Sequence, residues 1–187
     1  MIDTIDKASA VARRATDLEA VFNQCFMACE NTRLVGGGEE PIYQPFQRGT
    51  LAKIVYTRDF FSSALHEVAH WCVAGKARRQ LEDFGYWYNP DGRTPEQQVL
   101  FEQVEVKPQA MEWLFSNACG IRFRVSADNL SQGLGPSDNF KKAIVKQAGQ
   151  YATEGLPKRA QTFAEALANY YGGDFQRAEL YQLSVLD

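Results

Sequence analysis

Long apolar runs are missing from this 187-residue sequence, and no window approaches the ~18 uninterrupted apolar residues of a membrane-spanning helix. The first residues, MIDTIDKASAVARRATDLEAVF, hold no apolar core before a small-residue cleavage site, so the protein is expected in the cytoplasm. An excess of one charge is missing too. The 20 Lys and Arg stand against 23 Asp and Glu, and the formal net charge of −3 gives no general attraction to phosphate backbones or anionic lipid. Neither a membrane nor a direct nucleic-acid partner is expected. Cysteine is scarce: Cys25, Cys29, Cys72 and Cys119 are too few and too scattered for a disulfide scaffold, and all four are read as thiols packed in the core. Cys25 and Cys29 share a helical face but lack the second cysteine pair of a thiolate metal site. What remains, 45% hydrophobic and 23% charged, describes one soluble domain over residues 1–187, expected to be a monomer.

The patterning is that of an α+β domain, mainly helical. Leu18, Val21, Phe22, Cys25, Phe26 and Cys29 recur at intervals of three and four, which predicts a helix over 17–30 capped by Thr16 or Asp17. The short runs RLV, PIYQPF and LAKIVYT are separated by GGGEEP and QRGT, and predict a small mixed or antiparallel sheet. The stretch DFFSSALHEVAHWCVAG reads as a helix with Asp59 or Ser62 as cap and Gly75 as its end. DFGYWYNPDGR reads as a strand running into a turn, and 120–135 as a strand and loop. Thr94-Pro95 opens a long helix towards Cys119, with Pro108 expected to kink or break it. Two further helices are expected near 137–153 and 159–171.

Histidine is scarcer still. The chain has two, His66 and His70, four apart in H-E-V-A-H with Glu67 between them. Two histidines placed at random would fall at this spacing about one time in a hundred, and the adjacent Glu lowers that by roughly ten. On a helix, residues i and i+4 project from one face a turn apart, so both imidazoles reach a single divalent ion. Ala64, Leu65, Val68, Ala69, Trp71 and Val73 make the helix apolar nearly all round and put the pair inside the protein.

With no third histidine, a further protein ligand has to come from Asp or Glu, with Cys and Tyr as the weaker candidates. The helix after Thr94 offers Glu102 and Glu105 one turn apart, between the apolar shoulders Phe101, Val99 and Val106. The Pro108 kink disturbs the turn that holds Glu105, so the pattern favours Glu102 as ligand and Glu105 as its neighbour beyond the metal, with the exchanged roles as the alternative. Two histidines and one carboxylate leave positions open on the metal, and two chemistries use that arrangement. With zinc, bound water is acidified and Glu67 is the general base of a peptidase. With iron(II), the open positions take dioxygen and the site is an oxygenase. Spacing alone does not choose between them, and the two-His helix followed by a later Glu is the commoner peptidase arrangement.

The strings NTRLVGGGEEPIY, ALHEVAHWCVAGKARRQLEDFGYWYNPDGR, FEQVEVKPQAMEWLF and VSADNL resemble the bacterial elongation factor P hydroxylase family over nearly the whole chain. The stretch before about Asp17 has no counterpart, and 1–16 reads as a variable extension. The resemblance implies an iron-dependent enzyme that uses dioxygen to hydroxylate a lysine of elongation factor P already extended by a β-lysyl group. It implies metal ligation by His66, His70 and Glu102. Glu67 then has no peptidase task; orienting a bound water, orienting His70, or meeting a substrate ammonium group are open to it. A long cationic side chain calls for a channel of aromatics and carboxylates, for which Asp83, Tyr86, Trp87 and Tyr88 are the candidates. Lys76, Arg78 and Arg79 read as a solvated helix end. In outline the fold is expected to resemble a zinc-peptidase core, on which no oxoglutarate-anchoring pattern can be identified, so the electron donor stays open.

Overall fold

Leu18, Val21, Phe22 and Phe26 are buried on the inner face of α1 (Ala15–Glu30). The structure, a computed structural model, describes residues 12–85, 92–127 and 135–186. Neither Thr16 nor Asp17 caps α1. Arg14 takes the N-cap position without a side-chain bond, and its guanidinium pairs with Asp17 at 3.0 Å instead. Asn31 ends the helix in the left-handed region at φ 49°.

Three strands follow, β1 (Thr32–Gly38), β2 (Ile42–Gln44) and β3 (Ala52–Thr57), in the order β1-β3-β2. The sheet is mixed: β1 runs parallel to β3 with Leu34 opposite Ile54, and β2 runs antiparallel with Tyr43 opposite the same residue. Alternation along β3 buries Ala52, Ile54 and Tyr56 on one face. Gly36 lets α1 close on this sheet, because a Cβ there would lie 2.6 Å from the Tyr56 hydroxyl, which donates to Glu19 of α1 at 2.7 Å.

The sheet precedes the histidine helix entirely; among the described residues no strand follows it. Where a strand was expected from Asp83, residues 82–85 form a tight turn with Asp83 at φ 45° and Phe84 at φ 58°, and residues 86–91 lie outside the described residues. Residues 121–127 are irregular. Their backbone polar groups are taken by side chains rather than by a ladder: Gln109 bonds Ser126 N at 3.1 Å and Ser126 O at 2.8 Å, and Gln98 bonds Ala127 O at 3.2 Å.

The histidine helix, α2 (Phe61–Val73), packs between β3 and α3 (Pro95–Ala118). Neither Asp59 nor Ser62 caps α2, and it stops short of Gly75. Arg159 of α5 (Lys158–Tyr171) closes its end, with one Nη donating to the carbonyls of Trp71, Cys72 and Ala74 at 3.0, 3.1 and 2.6 Å. The same guanidinium stacks 4.6 Å over Trp71, whose indole also meets Phe22 and Phe26 of α1.

Thr94 and Gln97 form the capping box of α3, and Pro95 fills its first turn. The expected break at Pro108 is absent. The helix continues because residues 109–116 are all buried, and that burial outweighs the ~3 kcal/mol an interior proline costs. Ser137 caps α4 (Asp138–Glu154), which lies along α3, and Gly172 at φ 77° ends α5. Cys72 and Cys119 are core residues, but Cys29 is exposed and turns its thiol back to the Cys25 carbonyl, so the core reading fails there. Among the described residues no helix is long and apolar enough to cross a membrane.

Candidate metal centre

The facing sides of α2 and α3 carry the site. On α2 the i, i+4 spacing stacks His66 and His70 with their Nε2 atoms 3.0 Å apart. Opposite them α3 turns a stripe of polar residues inward, Glu105, Gln109, Glu112 and Ser116, all buried, the last three in a stretch otherwise made of Ala, Met, Trp, Leu and Phe. Glu105, 1% exposed, sets Oε1 at 3.2 Å from His70 Nε2 and Oε2 at 3.6 Å from His66 Nε2. These three donor atoms lie within 4.8 Å of one another. An ion with bonds of about 2.0–2.2 Å to nitrogen and oxygen holds its ligands roughly 3 Å apart, so the set fits one divalent cation bound from one side.

The structure brings Glu105, and not Glu102, to the histidines. Glu102 lies one turn earlier and is taken by α4: its carboxylate accepts from Ser137 N at 3.1 Å and Ser137 Oγ at 2.6 Å. The expectation that Pro108 disturbs the placement of Glu105 fails, because α3 runs on through the proline. The shoulder reading was half right, since Phe101 is buried while Val99 is 53% exposed.

Glu112 was missed. It lies two turns along the stripe from Glu105 and accepts from His66 Nδ1 at 2.8 Å. That bond puts a proton on Nδ1 and leaves Nε2 as the nitrogen that would give up its proton to bind an ion. Gln109 bonds Glu105 at 3.3 Å and anchors it to residues 121–127. The signal for both was in the sequence, in polar residues recurring at helical spacing among large apolar ones.

The electrostatics favour a cation. Burial lowers the His66 pKa, but the hydrogen bond and charge of Glu112, with Glu105 and Glu67, outweigh it and raise the value to about 10. Burial works against the Glu105 carboxylate, yet His70, His66 and Gln109 hold it down at about 2. Buried carboxylates that keep a histidine protonated are a setting in which a divalent ion replaces the proton.

Two cavities flank the centre. One of about 460 Å³ opens beside His66, Glu67 and Glu112, with Pro41, Phe60, Ile121 and Phe123 among its walls. The other, about 470 Å³, opens beside His70 and Glu105, between Val73, Ala74, Val104 and Pro108, with Lys76 and Arg78 at its edge. Glu67 therefore faces a cavity and is outside the group of three donors. Asp83 is exposed and accepts from Tyr43 N at 2.8 Å; Tyr86, Trp87 and Tyr88 lie outside the described residues. Of the basic cluster, Arg79 pairs with Glu30 at 2.8 Å and Arg78 bonds the Phe84 carbonyl at 3.0 Å.

The family model for elongation factor P hydroxylase matches residues 21–181. The elongation factor P lysine hydroxylase of Haemophilus influenzae is 56% identical over 156 residues, covering 83% of this chain and 88% of that protein. A match of this extent, on a chain whose paired histidines meet a buried glutamate, places the protein in the elongation factor P hydroxylase family.

Proposed function

We propose that this protein hydroxylates a lysine of elongation factor P, with iron(II) held by His66, His70 and Glu105. The observation that carries the reading is the convergence of three donor atoms from two helices beside open cavities, in a chain of this family. Iron(II) held by His66, His70 and Glu105 would supply activation of dioxygen for oxidation of a C–H bond. The protein's own groups do the rest. Glu112 keeps the proton on His66 Nδ1, Gln109 fixes the Glu105 carboxylate, and Phe60 and Phe123 give the cavity beside Glu67 apolar walls.

The lysine is proposed to carry a β-lysyl extension, and the enzyme to act as a single cytoplasmic domain and a monomer. The likeness of its core to zinc peptidases rests on the histidine helix lying against a small mixed sheet. The zinc-peptidase reading, with Glu67 as general base, is not favoured, because the relative's named reaction is hydroxylation. The test is the intact mass of elongation factor P after incubation with iron-loaded protein in air and under anaerobic conditions. One added oxygen atom in air alone is expected; a cleaved chain, or oxygen arriving from labelled water, overturns the assignment.

A further inference from the structure

We infer that the cavity on the His66 side receives the substrate side chain and that Glu67 is the carboxylate that binds its ammonium group, an inference that rests on the hydroxylase reading above. Three carboxylates surround the two histidines, and two of them are engaged: Glu105 with His70 and Gln109, and Glu112 with His66. Among the described residues no hydrogen bond or ion pair is formed by Glu67. It stands one residue past His66, off the face that carries the ligands, and lines a cavity instead. A carboxylate that lines a cavity without a hydrogen-bond partner is costly to desolvate unless a cation joins it. Arg122 and Arg124, both exposed, also line this cavity.

Both cavities present two basic side chains, and they differ in the carboxylates that the proposed metal leaves beside them. The His70 side presents Lys76 and Arg78, which repel an ammonium group, and its one carboxylate is Glu105, which the proposed metal takes. The His66 side sets Glu67 below the apolar walls of Phe60, Ile121 and Phe123, against which the methylenes of a lysine lie. An aliphatic chain ending in a cation is the ligand this combination suits. The ammonium can be that of lysine itself or one carried by a group attached to it, and the chemistry at Glu67 is the same.

The test uses the full chain loaded with redox-inert zinc and 1,5-diaminopentane as probe, followed by calorimetry, with 1-hexanol as the uncharged control. Wild type is expected to bind the diamine and not the alcohol. Glu67→Gln should keep its metal and bind the diamine at least tenfold more weakly, and Glu67→Asp should recover part of the loss. Ser62→Trp, an exposed position at the same cavity, should block binding without touching the charge, whereas Val104→Trp in the other cavity should leave it unchanged. With iron and protein substrate, Glu67→Gln should raise KM at least tenfold with kcat within about threefold; comparing unmodified with β-lysylated elongation factor P tells which ammonium is bound. Equal diamine binding by Glu67→Gln and wild type, or binding lost in Val104→Trp and kept in Ser62→Trp, overturns the inference. Because the diamine assay needs no turnover, its failure is separate from a failure to find hydroxylation.

Discussion

At the residue scale, the assignments divide by what each carboxylate touches. His66→Ala and His70→Ala are expected to purify folded and without metal, since a catalytic ion on a preformed helix is not the main source of stability. Glu105→Gln should lose most of its iron. Glu102→Gln should keep it and instead weaken the Ser137 cap of α4 by about 1 kcal/mol, read as a lower denaturant midpoint. Metal content after purification in excess iron separates the two, and loss of metal only in the Glu102 variant would reverse them. Glu112→Gln is expected to hold iron on the order of 10–100-fold more weakly, measured by chelator competition, because the bond that orients His66 is weakened without a ligand being removed. The histidines were legible because their scarcity made their spacing informative. The carboxylate was not, because Glu102 and Glu105 lie only about 60° apart on a helical wheel and only the docking of α4 decides which is occupied elsewhere.

At the element scale, α1, α2, α4 and α5 followed from periodicity, since each buries one stripe or nearly its whole surface. Strand readings failed where side chains compete with the ladder, as Gln98 and Gln109 do along 121–127. The break at Pro108 failed for the opposite reason, because local cost is outweighed by burial on both sides of it. The end of α2 was invisible in the sequence, as its closing group lies on α5. Arg159→Met keeps much of the apolar stem over Trp71 but leaves three carbonyls without their donor, and should destabilise the fold by roughly 1–3 kcal/mol in urea unfolding. Arg159→Lys is not expected to restore it, since an ammonium lacks the planar face that stacks on the indole. Wild-type stability in the lysine variant would mean that the stacking contributes nothing.

At the scale of the whole molecule, the sheet, α2 and α3 form one stack in which the proposed metal joins two helices distant in sequence. Chelation should therefore lower the melting temperature without unfolding the chain at room temperature, as scanning calorimetry would show. Gln109 extends the connection, since one amide holds both a glutamate of the metal centre and the backbone of residues 121–127 that wall the cavity beside Glu67. Removing the metal should speed amide hydrogen exchange at Ser126 and its neighbours more than at α5. The exchange difference should vanish in Gln109→Ala. Thermodynamic linkage then works in both directions: if occupancy of the metal centre stiffens the cavity wall and tightens substrate binding by some factor, bound substrate must tighten metal binding by the same factor. An enzyme wired in this way would be hardest to strip of the proposed iron while it is at work and easiest when idle, so iron starvation would deplete the resting molecules first.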